Sequence, residues 1–199
     1  MSFMVTSFYT KNTGYEQVMN ERLLPSLEKF KLKHKIFALN NLGSWNLNIY
    51  QKALVLKKML EDYSENIVWL DADAVVQRYP DKFDILEADF ACHFRFDGIK
   101  LSSGTMFFRN TEKIKSLINQ WIDEIKHHSN YGDETEQLIL QNLLKKRGDI
   151  LVENLPLSYS MIFDARPEQR VAEPVIEHFQ ASRQLKKTIG NNRKGELCL

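Results

Sequence analysis

The sequence is poor in cysteine, has almost no net charge and lacks any long apolar run. Its two cysteines, Cys92 and Cys198, are too far apart for a disulfide framework or a cysteine-based zinc site, which suits a reducing compartment. Lys and Arg number 27 against 26 Asp and Glu, so the net charge of +1 gives no reason to expect a nucleic-acid partner. No apolar stretch is long enough to span a bilayer, and the first residues lack the pattern of a signal peptide. We therefore expect a cytoplasmic protein without a transmembrane segment.

What the sequence does contain is an alternation of strand-like and helix-like segments. With 43% hydrophobic residues, a chain of 199 residues is long enough for one α/β domain with a substantial core. Hydrophobic spacing ahead of residue 66 predicts strands over 3–9 and 34–39 and helices over 15–30 and 49–63. This alternation predicts a single α/β, Rossmann-like domain with a mainly parallel central sheet and helices on both faces.

The pattern changes beyond Pro80. Short strands are predicted over 89–94 and 104–109, separated by a polar loop over 95–103 that we expect to border a site. Apolar residues at helical spacing then predict helices that contribute to the core. The domain is expected to cover 1–188, followed by a loose tail over 189–199 that is rich in Gly, Asn and charge.

The most informative segment is the run 66–76, Asn-Ile-Val-Trp-Leu-Asp-Ala-Asp-Ala-Val-Val. Its residues 67–70 predict a strand buried on both faces, and ligands of open α/β sheets bind beyond the carboxyl ends of such strands. Because side chains alternate along a strand, Asp71 and Asp73 leave the same face and can address one ligand together. Two such carboxylates repel each other unless a divalent cation joins them, so the pair predicts a metal site. The alternative is an Asx-type turn, in which one aspartate caps a helix.

This segment and several others resemble the glycosyltransferases of the GT-A fold, which use nucleotide-diphospho-sugar donors. The resemblance covers roughly residues 3–187, and 68–76 looks like the Asp-x-Asp strand of that fold. It implies that Asp71 and Asp73 bind a metal and that Asp71 also meets the donor. The segment 100–110 is similar to the family's (Asn/Ser)-Ser-Gly strand, whose start borders the donor sugar. Donor contacts are therefore implied for Ser103, through its hydroxyl, and for Gly104, which permits a close backbone approach.

The acidic stretch 131–137, Tyr-Gly-Asp-Glu-Thr-Glu-Gln, looks like the family's segment in which a carboxylate faces the acceptor hydroxyl or the reacting sugar. This implies a catalytic role for Asp133 or Glu134. In an inverting reaction that carboxylate is the candidate base, whereas in a retaining reaction it positions the sugar or stabilises an oxocarbenium-like state. Alternatively, Asp133 is an ordinary helix N-cap with Glu136 at capping-box spacing.

Residues 175–187 resemble the family's C-terminal metal-binding histidine and the basic residues after it that meet the diphosphate. The resemblance implies that His178 joins the two aspartates around Mn²⁺ or Mg²⁺, and manganese tolerates such a nitrogen ligand better than magnesium does. Arg183 and Lys186 are expected to bind the diphosphate, unless they form only a solvated basic helix end. The sequence lacks the Gly and Lys-Pro-Trp that follow this histidine in glycogenin-like enzymes.

The resemblance also implies nucleotide contacts near the start of the chain. Thr6, Ser7 and Tyr9 close the first predicted strand, where the family holds the base and ribose, and Tyr9 can stack on a base. Lys52 occupies a basic position ahead of the Asp-x-Asp unit, although a solvent-facing helix lysine explains it equally well.

These features predict a metal-dependent glycosyltransferase that moves a sugar from a nucleotide-diphosphate donor to an acceptor hydroxyl on a glycan, a protein or a small molecule. One alternative is a haloacid-dehalogenase-like phosphatase, because 70–75 also fits the Asp-x-Asp-x-(Thr/Val) opening of that family. That family places this strand near its start, whereas two α/β units precede it here. A second alternative is a non-catalytic nucleotide-sugar-binding module, which only a test of turnover distinguishes from the enzyme.

Overall fold

The computed structural model describes residues 2–128 and 136–185, which form an α/β architecture. The strands are β1 (Phe3–Thr10), β2 (His34–Leu39), β3 (Asn66–Leu70), β4 (Ala74–Val76), β5 (Phe90–Phe94), β6 (Lys100–Phe108), β7 (Val152–Asn154), β8 (Met161–Ile162) and β9 (Ile176–His178). The helices are α1 (Gly14–Val18), α2 (Leu24–Lys29), α3 (Trp45–Asp62), α4 (Lys82–Ile85), α5 (Arg95–Gly98), α6 (Glu112–His128), α7 (Glu136–Lys146) and α8 (Ser182–Leu185). A π-helical turn, Met19–Leu23, joins α1 to α2.

The central sheet, within the described residues, has six strands in the order β2-β1-β3-β6-β5-β7. Strand β1 pairs in parallel with both β2 and β3, and β5 pairs in parallel with β7. Strand β6 runs antiparallel to its neighbours β3 and β5. The predicted mainly parallel sheet is therefore confirmed, and the reversed strand brings the start of β6 beside the end of β3.

Helices cover both faces of this sheet, as the sequence predicts. All five residues of β3 are buried. Ile67 and Trp69 pack into a core formed with α3, α6 and α7, whereas Val68 and Leu70 pack into a second core with the π-helical turn and α2. Because successive side chains of a strand point to opposite faces, this continuously apolar strand anchors both cores and fixes the position of the residues that follow it.

A smaller sheet of β4, β9 and β8 lies beyond the end of β3. Strand β9 pairs antiparallel with β4, and the register places Ala74 opposite His178. This pairing brings the C-terminal part of the domain to the Asp-x-Asp turn.

Several predicted boundaries differ from the structure. The predicted polar loop over 95–103 is wrong, because 95–98 form α5 and β6 begins at Lys100 rather than at Gly104. Polar residues in this part of β6 line a cavity, so their polarity does not mark a loop. Helix α3 begins at Trp45, four residues ahead of the predicted start. The predicted tail over 189–199 lies outside the described residues.

Among the described residues, no helix combines the length and the apolar character needed to cross a membrane. The cytoplasmic location expected from the sequence stays a prediction.

Candidate active site

The site begins where the end of β3 meets the start of β6. Leu70 pairs with Thr105 in the antiparallel register, and the Asp71 amide continues this ladder by donating to the Gly104 carbonyl at 2.9 Å. The sequence predicted that Ser103 and Gly104 border the same site as Asp71. The structure brings them together because β6 is reversed relative to β3.

Asp73 and His178 are brought together by the smaller sheet. The amide of Phe179 donates to the Asp73 carbonyl at 3.1 Å, and the amide of Ala181 donates to Asp73 Oδ2 at 2.7 Å. His178 Nδ1 lies 3.6 Å from Asp73 Oδ1. Burial by itself raises the pKa of Asp73, but the nearby His178 and the Ala181 amide outweigh this effect, so the net pKa is lowered. Asp73 is therefore held as a carboxylate although it is buried.

Gly104 gives His178 the space that it occupies. A Cβ atom at position 104 would lie 2.9 Å from Cε1 and 3.1 Å from Nδ1 of the imidazole. The other ring nitrogen, Nε2, lies 2.8 Å from the hydroxyl of the buried Thr105. The sequence predicted a close backbone approach at Gly104, and within the protein it is the His178 ring that makes this approach.

Gly104→Ala is expected to lower the free energy of unfolding by about 1 to 3 kcal/mol, because the added methyl group overlaps a ring that is buried and held by Thr105. Chemical denaturation measures the loss. Gly148→Ala is the matched control, since a Cβ there has no neighbour within 4 Å. Equal stability of the two variants would show that the His178 ring shifts freely and is not fixed in place.

Lys52 is buried at the centre of a charged network and is not a solvent-facing helix lysine. Its Nζ lies 3.1 Å from Asp71 Oδ1, 3.0 Å from Glu136 Oε1 and 3.2 Å from the Ser103 carbonyl. Burial alone lowers the pKa of Lys52, but the two carboxylates outweigh this effect and the net pKa is raised. The indole of Trp69 also donates to Asp71 Oδ1 at 2.7 Å. Lys52 is thus a fixed cation that orients Asp71.

Glu136 and Gln137 are the residues of the acidic segment 131–137 that the structure describes, and both lie in the site. Asp133 and Glu134, the predicted catalytic residues, lie outside the described residues. Glu136 begins α7, is buried, and accepts hydrogen bonds from Lys52 Nζ and from the Ser103 hydroxyl at 3.1 Å. The sequence reading treated Glu136 only as a capping-box partner. Its role was missed because helical spacing does not reveal that a lysine lies opposite it.

One cavity of about 690 Å³ lies at the carboxyl edge of β1 and β3. Its wall includes these predicted site residues: Tyr9, Lys52, Asp71, Asp73, Ser103, Gly104 and His178. A cavity of this size suits a small-molecule ligand with several polar groups.

The structure corrects the prediction that Thr6 and Ser7 meet a nucleotide. Both are fully buried within the sheet, and the Thr6 hydroxyl donates to the Lys35 carbonyl at 2.9 Å. Strand β1 extends to Thr10, and the last three residues of the strand, Phe8, Tyr9 and Thr10, form part of the cavity wall.

Arg183 lies outside the cavity wall, where it is exposed and paired with Asp164. The neighbouring Gln180 and Ser182 do line the cavity. Lys186, the other predicted diphosphate ligand, lies outside the described residues.

Two aromatic residues of the cavity wall were missed by the sequence reading. Tyr15 is the second residue of α1 and Trp45 the first residue of α3, and their side chains are hydrogen-bonded to each other. Burial, with smaller contributions from the charges of Asp73 and Asp71, raises the pKa of Tyr15 to about 12 despite that hydrogen bond. Tyr15 therefore presents a neutral phenol. Aromatic residues at helix starts carry no sequence signal that separates a cavity wall from a core.

No group of three or more His, Cys, Asp and Glu side chains within 2–128 and 136–185 has the arrangement of a metal site. Asp73 and His178 are adjacent, whereas Asp71 Oδ1 is directed to Lys52 and Trp69. The metal predicted from the sequence is therefore still a prediction.

Comparisons with known proteins identify similar folds but no similar sequence. No family model and no curated protein matches the sequence. A glycosyltransferase involved in glycosylation of the major capsid of PBCV-1 matches with a TM-score of 0.69 at 14% identity, covering 95% of this chain and 98% of that one. The apo form of the glycosyltransferase GlyE of Streptococcus pneumoniae TIGR4 matches with a TM-score of 0.64 at 17% identity, covering 95% of this chain but only 59% of GlyE.

The galactosyltransferase LgtC, solved with donor and acceptor sugar analogs, matches with a TM-score of 0.57 at 10% identity, covering 89% of this chain and 87% of that one. These likenesses confirm the predicted fold. All three of these proteins are glycosyltransferases.

Proposed function

Since the chain has the GT-A glycosyltransferase fold, we propose that it transfers a sugar from a nucleotide-diphosphate donor to an acceptor hydroxyl with the help of a divalent metal. The observation that carries this proposal is the convergence of Asp71, Asp73 and His178 on one cavity. Two separate sheet pairings are needed to assemble these three residues, so their meeting favours a shared ligand.

The residues that would hold the metal are chemically suited to it. Asp73 Oδ1 and His178 Nδ1 are 3.6 Å apart. Metal–ligand bonds of about 2.1 Å at right angles put neighbouring ligand atoms roughly 3 Å apart, so a small shift of either side chain allows both to bind one ion. The contact between His178 Nε2 and the Thr105 hydroxyl fixes the ring, as the outer partner of a metal-bound histidine normally does. Asp71 would be the third ligand.

When bound, the metal supplies positive charge to the phosphates of the donor and to the departing diphosphate. The remaining contributions come from the protein itself. Lys52 orients Asp71 from the buried side, and the Ala181 amide orients Asp73. Arg183 and Lys186 are proposed to meet the diphosphate, and Arg183 must leave Asp164 to do so.

The aromatic end of the cavity is the proposed nucleotide side. Tyr9 and Trp45 offer faces on which a base can stack, and Tyr15 offers a neutral hydroxyl. The opposite end, with Ser103, Gly104 and the start of α7, is the proposed sugar side. Asp133 or Glu134 would there face the acceptor as base, or position the sugar if configuration is retained.

A thermal-shift screen of nucleoside diphosphates with and without Mn²⁺ tests this proposal. A ligand at 100 times its dissociation constant stabilises the folded state by about 2.7 kcal/mol, so the correct nucleotide should raise the melting temperature only when the metal is present. EDTA should abolish the shift. Release of nucleoside diphosphate from the matching nucleotide sugar then separates an enzyme from a binding module. No shift with any nucleotide, with or without metal, would contradict the proposal.

His178→Ala is expected to weaken Mn²⁺ binding by at least about tenfold and to slow sugar transfer, because one ligand is lost from the proposed metal site. Titration with Mn²⁺ in the presence of nucleoside diphosphate measures the change. His34→Ala is the control, because His34 lies on β2 outside the cavity wall. Unchanged Mn²⁺ affinity in His178→Ala would mean that His178 is not a metal ligand. The proposal that Asp71 and Asp73 bind the metal would not be changed by that result.

Replacing Arg183 or Lys186 with Met is expected to weaken binding of a nucleoside diphosphate by about tenfold while leaving the free nucleoside unaffected. The physical reason is that a lost cationic contact is felt only by phosphate charge. Calorimetric titration with both ligands compares the two effects. Equal losses for nucleoside and diphosphate would mean that these residues act through the fold of the C-terminal segment.

A further inference from the structure

Two cations face each other at the hairpin between β5 and β6. The backbones of Arg95 and Lys100 form a β-bridge across this hairpin, and both residues line the cavity. Like charges directly opposite each other on two strands destabilise the pairing. Such a pair facing a ligand cavity is therefore expected to have a counter-charge there.

The acidic groups of the cavity wall are engaged elsewhere. Asp71 and Glu136 both contact Lys52, and Asp73 contacts the Ala181 amide and lies beside His178. Arg95 Nε, in contrast, is buried and has no hydrogen-bond partner among the described residues. The described part of the wall thus offers the half-buried Arg95 side chain no acidic partner, and an anionic ligand that contacts its accessible part would supply the counter-charge.

The surroundings of this cation pair fit a sugar. Ile99, which precedes Lys100, and Leu138 of α7 line the same cavity and are 68% and 39% exposed. Gln137, which also lines the cavity, offers an amide. Apolar side chains that cover the C–H face of a ring, next to polar groups for its hydroxyls, form a typical sugar site.

The position of Lys100 along β6 separates the cation pair from the proposed diphosphate site. Lys100 is four residues ahead of Gly104, which is bonded to Asp71. At about 3.4 Å per residue, the two backbone positions are at most roughly 14 Å apart, and the β-bulge in this part of the pairing with β5 shortens that distance. The cation pair thus lies on the sugar side of the proposed metal ligands.

We propose that Arg95 and Lys100 form a subsite for an anionic group, a carboxylate or a phosphate, on a sugar substrate of this protein. The group is carried either by the transferred sugar or by the acceptor. This inference rests on the proposed sugar transfer and names the class of sugar that it uses.

Binding of matched acidic and neutral sugars tests the subsite. One arm compares free glucuronate and glucose 6-phosphate with glucose, in the presence of UDP or GDP and Mn²⁺. The other compares UDP-glucuronate with UDP-glucose and GDP-mannuronate with GDP-mannose. We expect the acidic member of a pair to bind about tenfold more tightly, because it gains charge-assisted hydrogen bonds. A preference among nucleotide sugars assigns the anion to the transferred sugar, and a preference among free sugars assigns it to the acceptor.

Arg95→Gln and Lys100→Gln should each reduce this preference about threefold or more, and the double variant should abolish it. Affinity for the neutral sugar and for the nucleoside diphosphate should remain unchanged. Arg166→Gln is the control, because Arg166 is exposed and outside the cavity wall.

Equal binding of acidic and neutral sugars by the unmodified protein would overturn the inference, as would a preference that survives in the double variant. The inference would also be overturned if the double variant lost as much affinity for the nucleoside diphosphate as for the acidic sugar. That result would mean that Arg95 and Lys100 bind the diphosphate. Absence of any nucleotide binding would contradict the proposed function instead, and the free-sugar arm would still decide whether the anionic subsite exists.

Discussion

Asp73→Asn and Asp71→Asn are each expected to weaken metal-dependent binding of a nucleoside diphosphate by at least about 100-fold, because each removes a charged ligand of the proposed metal site. The asparagine oxygen at position 73 can still accept from the Ala181 amide, and that at position 71 from the Trp69 indole. Stability should therefore change much less than affinity. Calorimetric titration with and without Mn²⁺, together with chemical denaturation, measures both quantities.

The control for this pair is Asp62→Asn, at the exposed end of α3, where the carboxylate contacts only the surface Lys58 among the ion pairs of the described residues. It should leave both affinity and metal dependence unchanged. If either site variant keeps full metal-dependent binding, the replaced aspartate is not a metal ligand, whatever its position in the cavity.

Lys52→Met is expected to lower the free energy of unfolding by about 3 to 5 kcal/mol, the usual cost of removing one partner from a buried ion pair. Methionine preserves the length of the side chain but leaves Glu136 buried without its cation, and Asp71 loses the group that orients it. Donor binding should fall together with stability. Urea denaturation gives the free energy, and titration of the folded variant at low temperature gives the affinity.

Two further variants separate charge from packing in this prediction. Lys58→Met lies on the same helix but breaks only an exposed pair with Asp62, so its cost should be much smaller than that of Lys52→Met. Lys52→Met combined with Glu136→Gln should regain much of the lost stability, since no uncompensated carboxylate then remains at position 136. A loss in Lys52→Met no greater than in Lys58→Met would mean that the network contributes nothing to folding.

The architecture follows from local sequence patterns. The buried strand before Asp71, the alternation of strands and helices and the mainly parallel sheet are all confirmed. These features depend on hydrophobic periodicity over a few residues, which a sequence displays directly. Within the predicted helix 15–30, α2 begins at Leu24 with Pro25 in its first turn, where proline is tolerated.

The composition of the site is readable only in part. Asp71, Asp73, Ser103, Gly104 and His178 were named from motifs and do line one cavity. The burial of Thr6 and Ser7 was harder to predict, because both lie in the middle of β1, which has a neighbouring strand on each side. The polarity of a residue does not show whether it lies in the middle of an interior strand or at its end.

The sequence by itself determined which segments form buried strands and helices, whereas the tertiary structure decided how the residues after β3 are arranged, because Asp71 and Asp73 lie in the turn between β3 and β4 and not on one strand face. The reversed strand β6 sets Gly104 beside Asp71, and the pairing of β4 with β9 sets His178 beside Asp73. The environment of Lys52 was also decided by the tertiary structure, since helical spacing cannot distinguish a solvated lysine from one enclosed by two carboxylates. Periodicity is a property of neighbours along the chain, whereas the charge, burial and pKa of a side chain depend on segments that only folding brings together.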